Sequence, residues 1–515
     1  MRRIPIYPFL FGLVSLLTLL AHNMQEVYLT AVIKPFLCTL GGLMALLTLM
    51  RLVFRDWSRA ALGTTFIAVI FFSYGHVYEL LQSIPNIGLQ VGRHRYLLVV
   101  MAGLLVAGLW WVWKKYRSSK ETTLLLNLTG LVLLVFPLYQ ISSFYIQQGS
   151  EKNASEALSQ TPSRLSVEAG KPVPDVYYII LDSYTRSDAL LGDFGYDNTP
   201  FEKELEELGF YIARCSQSNY SYTSLSLVSS LNMDYLGGIQ EELKAQGVSP
   251  NAWLGMLKKS AVRGQLEGIG YKTIAFQTGF PWTELTDADI FLDMSADIMD
   301  LKQLSPFDVM YIKSTGLLAI TDRQKQVTRS KISDVNYPFS SFIAQQRFIL
   351  DQLPKIASMP EKKIVFAHIL IPHVPYIFAA DGSINLDPGF YDGDDTAPRN
   401  EEYRTRGYTG EIQFINREIL QVVRQILADS KTPPVIIIQA DHGLRDQNRT
   451  MIFNAYYLPG EGKNELYTTI TPVNTFRLVF DEYFGANYPL LADDSFLRSN
   501  YTDPVPDPNP ACQTP

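Results

Sequence analysis

Two adjacent residues near the end of the chain, Asp441 and His442, carry side chains that bind divalent metals. They follow an apolar run and precede Gly443 in the sequence PPVIIIQADHG. A carboxylate oxygen and an imidazole nitrogen together suit Zn²⁺ or Mn²⁺. The same pair could instead cap a following helix, and this stretch alone does not separate the two interpretations.

A second acid, Asp182, ends the apolar and aromatic run DVYYIILD. A carboxylate at the end of a buried strand needs a cation, a helix terminus to cap, or a metal. Asp182 is therefore a candidate metal ligand, with helix capping as the alternative. Arg186 and Asp188 follow closely, and they could orient neighbouring groups or simply pair with each other.

Two of the six histidines lie in the segment FAHILIPHVPYIF. His368 falls within a predicted strand, where a hydrogen-bonded core histidine and a functional histidine are both compatible with the pattern. His373 lies in a loop that prolines stiffen on both sides. Its position suits an interaction with an anionic ligand.

Six aliphatic hydroxyls fall within thirteen residues, NYSYTSLSLVSSL, from Asn219 to Leu231. Apolar residues recur at every third position of this stretch, which predicts a helix that begins near Thr223. The dipole at the amino end of a helix favours negative charge, and a bound divalent metal would lower the pKa of a hydroxyl there much further. Thr223 is therefore a candidate nucleophile. Its alternative role is a helix cap.

The other hydroxyls of this stretch are weaker candidates for a nucleophile. Ser221 and Ser224 are the second choices because they lie beside the predicted helix start. Ser229 and Ser230 would point along the interior of the helix.

Four β-rich runs are the elements that would position these side chains. They are DVYYIILD (175–182), YKTIAF (271–276), KKIVFAHIL (362–370) and PPVIIIQADHG (433–443). Helix-like stretches lie between them, and continuous apolar strands alternating with helices predict an α/β fold with a largely parallel sheet. Ligands of such folds bind at the carboxyl ends of the strands, where Asp182, His368 and Asp441 lie.

The first 146 residues have the composition of a membrane domain. Five segments approach the roughly 20 apolar residues that cross a bilayer: Pro5–Ala21, Tyr28–Met50, Ala60–Tyr78, Tyr96–Trp113 and Thr122–Tyr139. Nine basic residues flank them on one side and three on the other, so the positive-inside rule predicts a cytoplasmic N-terminus and an external C-terminal part. The alternative is that some of these segments are buried helices of a globular domain, but the charges are confined to the gaps between them.

These features divide the chain into a five-helix transmembrane domain (1–146), a linker (147–173) and an extracytoplasmic α/β domain (174–515). A net charge of −7 leaves no general basic surface for nucleic acid. Three cysteines are too few for a cysteine metal cluster. A bridge between Cys215 and Cys512 is possible outside the membrane, although no spacing pattern supports it.

The motifs IILDSYTRSD, NYSYTSLSL, IPHVPY and QADHG together resemble those of the alkaline phosphatase and sulfatase superfamily. Within it, the layout is similar to that of the membrane-anchored lipoteichoic acid synthases and lipid A phosphoethanolamine transferases. The resemblance implies one divalent ion, Zn or Mn, and the following site residues. The metal ligands would be Asp182, Thr223, Asp441 and His442, the nucleophile Thr223, and the substrate-binding residues His373 and His368.

The resemblance also implies a reaction. Thr223 would take a phospho-head group, of the phosphoglycerol or phosphoethanolamine type, from a phospholipid donor and pass it to a cell-envelope glycan or glycolipid through a phospho-threonine. The transferases of this group carry Glu where this sequence has Asp182, the residue type more usual in sulfatases. No x-Pro-x-Arg follows Cys215 or the serines, which argues against a formylglycine sulfatase. The alternatives are a sulfatase-like hydrolase of phosphate or sulfate esters and a non-catalytic membrane scaffold with a degenerate site.

Overall fold

The computed structural model describes most of the chain, and its residues form two compact units. The described residues are 4–24, 27–82, 84, 94–117, 119–159, 164–167, 173–245, 247–280, 283–294, 304–320, 340–385, 390, 401–497 and 502–513. The first unit comprises Met1–Gln147 and Ser295–Ser341, and the second comprises Gln148–Met294 and Phe342–Pro515.

Helices and strands follow one another along the described chain with these bounds. The helices are α1 (Tyr7–His22), α2 (Ile33–Phe54), α3 (Trp57–Gln82), α4 (His94–Lys114), α5 (Lys120–Ser159), α6 (Ser187–Phe194), α7 (Thr199–Glu207), α8 (Thr223–Asn232), α9 (Leu236–Ala245), α10 (Ala261–Gly268), α11 (Pro306–Ser314), α12 (Ser340–Gln352), α13 (Glu401–Asp429) and α14 (Pro472–Phe484). The strands are β1 (Val176–Leu181), β2 (Tyr211–Ile212), β3 (Lys272–Phe276), β4 (Ile290–Leu292), β5 (Lys363–Ile369), β6 (Val435–Gln439) and β7 (Asn454–Tyr457).

The five apolar segments predicted near the N-terminus are all helical, as α1 to α5. By length and composition, α2 to α5 are each apolar enough to cross a membrane, whereas α1 has only 16 residues. Large apolar side chains such as Leu52, Val99 and Val132 are exposed on these helices. Water would disfavour such surfaces, whereas a bilayer would accommodate them.

Two parts of the structure cross the boundaries of the predicted division of the chain, which stays a prediction. Helix α5 continues to Ser159, well into the predicted linker 147–173. The sequence EKNASEAL in this part contains strong helix formers, which continue the helix despite the polar composition. Of the residues predicted as part of the catalytic domain, the described residues 304–320 group with the first unit, where Phe307 and Tyr311 of α11 pack with Leu16 and Leu20 of α1.

The second unit contains a seven-stranded sheet in the order β2-β7-β6-β1-β5-β3-β4. Strands β6, β1, β5, β3 and β4 are parallel, and β2 and β7 form an antiparallel edge. The structure therefore confirms an α/β domain with a mostly parallel sheet. Strand β1 is buried along its whole length, which explains why its sequence is continuously apolar rather than alternating.

The register of the central strands determines which residues meet at the carboxyl edge of the sheet. Ile180 of β1 lies opposite His368 of β5 and opposite Gln439 of β6. Asp182 and Asp441 each follow these paired positions by two residues. Three stretches that are far apart in sequence therefore end beside one another.

A disulfide joins Cys215 to Cys512, with a Cα–Cα distance of 5.3 Å and a sequence separation of 297 residues. The C-terminal segment 502–513 is also held by an ion pair in which Arg186 Nη1 donates to Asp507 Oδ2 at 2.7 Å. Arg186 Nε donates to Asp188 Oδ1 at 2.8 Å. The two residues therefore pair with each other, which is one of the two alternatives predicted from the sequence. Cys38 is a free, exposed cysteine.

Replacing Cys512 with Ser should lower the free energy of unfolding by about 2–4 kcal/mol, because the unfolded chain is no longer constrained by a long closed loop. Thermal unfolding of the detergent-solubilised full-length protein would measure the change, and a reductant should lower the melting temperature of the wild type in the same way. Cys38→Ser is the matched control and should behave as the wild type. A Cys512→Ser variant that melts with the wild type would contradict the bridge.

Candidate metal centre

Four side chains from separate parts of the sequence converge at the carboxyl edge of the sheet. Asp182, Asp441 and His442 are buried, and each offers a ligand atom within 4.8 Å of the others. His442 Nε2 lies 3.9 Å from Asp182 Oδ1 and 3.6 Å from Asp441 Oδ2. Thr223 Oγ1 lies 3.2 Å from the same nitrogen. The structure thus brings together the four residues that the sequence analysis assigned to one metal.

The hydrogen bonding of the Asp441 carboxylate shows whether this group of residues fits a cation. Its Oδ1 accepts hydrogen bonds from the backbone N–H groups of Ser183, at 3.0 Å, and of His442, at 2.9 Å. Its Oδ2 is buried and has no hydrogen-bond partner among the described residues. A buried carboxylate oxygen without a donor is costly. A divalent cation beside this oxygen would remove the cost, so the donor set fits a metal.

The ring of His442 is oriented as a metal ligand requires. Its Nδ1 lies 2.8 Å from the carbonyl oxygen of Gly443, so the ring donates its N–H there and leaves the lone pair of Nε2 directed at the acids. A Cβ atom on Gly443 would come within 2.7 Å of the carbonyl oxygen of Asn448. The backbone turn that positions the imidazole therefore leaves no space for a side chain at this position.

Asp182 lies among three imidazoles. Its Oδ2 is 3.3 Å from Nε2 of the buried His368, and its Oδ1 accepts a hydrogen bond from Ser183 Oγ at 3.0 Å. Burial by itself would raise the pKa of Asp182, but His373 and His368 outweigh that effect and hold the pKa below its usual range. Asp182 is thus an anion at neutral pH. The contact supports a role for His368 in orienting this carboxylate.

The proline-flanked loop brings His373 to the same edge of the sheet. The centroid of its ring lies 6.4 Å from that of His442. Its Nδ1 lies 2.7 Å from the carbonyl oxygen of Val374. The following segment is held by Glu411 of α13, whose Oε1 accepts the N–H groups of Ile377 and Phe378 at 2.7 and 3.1 Å.

Helix α8 begins at Thr223, as the periodicity predicted, so the hydroxyl of this residue lies in the first turn. The two serines judged poor candidates point into the interior. Ser229 Oγ donates to the carbonyl oxygen of Asp234 at 2.7 Å, and Ser230 Oγ hydrogen-bonds to the hydroxyl of Tyr178.

Three residues that support the centre are not among those predicted from the sequence. Ser183 has a φ of 62°, and this left-handed backbone allows its N–H to reach one acid while its side chain reaches the other. Tyr408 donates its hydroxyl to the carbonyl oxygen of Ser183 at 2.6 Å. Arg449 Nε donates to the carbonyl oxygen of Ser221 at 2.8 Å, and its guanidinium lies 5.3 Å from the ring centroid of Tyr222. The position of Ser183 beside Asp182 was the one signal available in the sequence.

No family model and no curated protein matches this chain. Among solved structures, it is similar to the C-terminal periplasmic domain of EcEptC from Escherichia coli, with 12% identity over 64% of this chain and 87% of that chain and a TM-score of 0.42. It is also similar to the integral membrane protein lipooligosaccharide phosphoethanolamine transferase A from Neisseria meningitidis, with 12% identity, coverage of 92% and 95%, and a TM-score of 0.37. A third similar structure is a putative sulfatase from Bacteroides fragilis, with 12% identity, coverage of 64% and 78%, and a TM-score of 0.36.

Replacing Ser183 with Ala should weaken metal binding about 10- to 100-fold. The reason is that the serine hydroxyl orients the carboxylate of Asp182 and lies 3.3 Å from His442 Nδ1. Competition with a chelator of known affinity would measure the dissociation constants for Zn²⁺ and Mn²⁺. Ser226→Ala is the matched control, since this buried hydroxyl has no hydrogen-bond partner among the described residues. Equal affinities in the two variants would contradict the role of Ser183.

Proposed function

We propose that this protein is a membrane-anchored, metal-dependent phosphotransferase. It would move a phospho-head group, of the phosphoglycerol or phosphoethanolamine type, from a phospholipid to a glycan or glycolipid of the cell envelope. The observation that carries the proposal is the distance of 3.2 Å between Thr223 Oγ1 and His442 Nε2, within a cluster of buried metal-ligand atoms. A hydroxyl in this position is what a metal-activated nucleophile needs.

The ligands in this proposal are Asp182, Thr223, Asp441 and His442, which would hold one divalent ion, Zn or Mn. When bound, the ion would supply positive charge that lowers the pKa of the coordinated hydroxyl and offsets negative charge on the transferred phosphoryl group. Carboxylate, imidazole and hydroxyl donors suit either metal.

The residues of the chain would carry out the transfer in two displacements. Thr223 Oγ1 forms a bond to the phosphorus of the lipid phosphodiester, and the bond from phosphorus to the diacylglycerol oxygen breaks. Diacylglycerol leaves with the proton that the threonine hydroxyl lost, and the head group remains on Thr223 as a phosphodiester. A hydroxyl of the acceptor then displaces Thr223, which regains a proton.

Two features near Thr223 suit an anionic substrate. Thr223 lies at the amino end of α8, where the N–H groups and the helix dipole favour negative charge. The imidazole of His373 lies beside the metal ligands and would hydrogen-bond to phosphate oxygens. Catalysis would therefore consist mainly of positioning and charge compensation.

The proposal places the protein in the cell membrane as a multi-pass protein with a cytoplasmic N-terminus. The apolar helices α2 to α5 support insertion into a bilayer. The disulfide between Cys215 and Cys512 supports an extracytoplasmic position for the catalytic unit, because such bonds persist in oxidising compartments.

Replacing Thr223 with Ala should lower the transfer rate by several orders of magnitude, on the order of 10⁴ or more, because the variant cannot form the covalent intermediate. Intact-protein mass spectrometry after incubation with phospholipid would detect the head group on the wild type and not on the variant. Ser224→Ala is the matched control, since this neighbour also lies in the first turn of α8. An active Thr223→Ala variant would refute the assignment.

The dependence of the reaction on an acceptor distinguishes a transferase from a hydrolase. With an acceptor present, phospholipid with a radiolabelled head group should yield labelled glycan or glycolipid. Without an acceptor, the same phospholipid should release little free labelled head group. Release of the free head group at the same rate in both conditions would instead identify a hydrolase of phosphate esters. The Thr223→Ala variant gives the background rate of label release and transfer in both conditions.

A further inference from the structure

The first unit contains a cavity of about 450 Å³ between α2, α3 and α11. This volume lies within the range of about 300–1,000 Å³ that is typical of small-molecule sites. Most of the wall is hydrocarbon, and it includes Leu43, Leu46, Ile67, Ala68, Phe71 and Phe72. The cavity lies entirely within the unit whose helices are apolar enough to cross a membrane.

Four polar side chains on the wall form two pairs. Lys34 Nζ forms an ion pair with Asp308 Oδ2 at 2.7 Å, and both side chains are nearly buried. The hydroxyls of Thr39 and Tyr311 hydrogen-bond at 2.9 Å. The ion pair carries no net charge, so an occupant meets a surface that is neutral and mostly apolar. A polar occupant would lose its hydrogen bonds to water here and gain few hydrogen bonds to the wall. A hydrocarbon chain makes no hydrogen bonds and therefore loses none on entering the cavity.

The polar and apolar parts of the cavity lie at different heights along α2. Lys34 is the second residue of this helix, and Leu46 lies twelve residues further on, which corresponds to about 18 Å at 1.5 Å per residue. The charged pair is therefore at the end of a membrane-length helix, and the hydrocarbon wall continues toward its middle. A membrane lipid has the same arrangement, with a polar head group at the interface and a chain that extends inward.

We propose that this cavity binds one acyl chain of a membrane glycerophospholipid, with the head group at the end formed by Lys34 and Asp308. The site belongs to the first unit alone and does not depend on the chemistry proposed for Thr223. A nearly buried ion pair of this kind is otherwise a costly feature, because its desolvation offsets much of its attraction. Contact with a lipid head group would lower that cost.

Two adjacent glycines allow a matched test. A Cβ atom at either Gly41 or Gly42 would meet no heavy atom within 4 Å, but Gly42 lines the cavity and Gly41 is not among its lining residues. Both substitutions remove a glycine from the same helix interior, so their effects on helix stability should be alike. Gly42→Phe would place a ring in the cavity, whereas Gly41→Phe would not.

Native mass spectrometry of the full-length protein in mild detergent would measure the binding. The probe is an equimolar mixture of palmitoyl-oleoyl phosphatidylethanolamine and phosphatidylglycerol. Wild type and Gly41→Phe should retain one lipid, and Gly42→Phe should bind it at least tenfold more weakly. Gly42→Leu provides a smaller replacement if the phenylalanine variant does not fold.

Several results would overturn this inference. They are equal lipid retention by Gly42→Phe and the wild type, equal loss in both glycine variants, and retention of detergent alone. Thr223→Ala should bind the lipid as the wild type does, which keeps a failure of this site distinct from a failure of the proposed reaction.

Discussion

Two buried carboxylates, Asp182 and Asp441, are directed at the same point at the end of a parallel sheet, and their mutual repulsion must be compensated. Like charges in a poorly solvated site strongly disfavour each other unless a cation or a set of donors lies between them. Asp182 has imidazoles and a serine hydroxyl around it. In Asp441, Oδ1 accepts hydrogen bonds from two backbone N–H groups, whereas Oδ2 lies near Nε2 of His442. This remaining oxygen is why a divalent cation is the simplest partner for the site.

The surrounding structure serves to hold these groups in place. Ser183 links the loops that follow β1 and β6, and Tyr408 of α13 fixes the carbonyl group of the same serine. Farther from the centre, Arg186 joins the loop after β1 to Asp507 in the C-terminal segment, which the Cys215–Cys512 bond ties to the chain before α8. The loops that present a candidate metal ligand and the threonine are thus each connected to the core by hydrogen bonds, an ion pair or a covalent bond, as a precise site requires.

Local patterns were sufficient for four of the seven strands of the described chain, β1, β3, β5 and β6, and for the types of the candidate site residues. The runs around β1, β3, β5 and β6 are continuously apolar because parallel strands are covered on both faces, and this pattern is visible in any short window. The start of α8 at Thr223 was predictable from the three-residue spacing of leucine and valine. Residues such as Asp441 and His442 stood out because few side-chain types bind metals.

Other features depend on contacts between distant parts of the chain, and no window of sequence contains them. The packing of α11 with α1 and α2, the pairing of Cys215 with Cys512 and the antiparallel edge formed by β2 and β7 are of this kind. The continuation of α5 to Ser159 is instead a local effect, in which helix propensity outweighs the polar composition that predicts a linker.

By itself, the sequence determined the apolar segments, the alternation of strands and helices, and the chemical identity of the candidate metal-binding side chains, since these follow from composition and periodicity. Only the tertiary structure decided that Thr223 Oγ1 approaches His442 Nε2 and that Ser183 connects the two acids. The reason is physical: periodicity specifies the direction of a side chain relative to its own helix or strand, whereas the distance between two side chains depends on how separate elements pack.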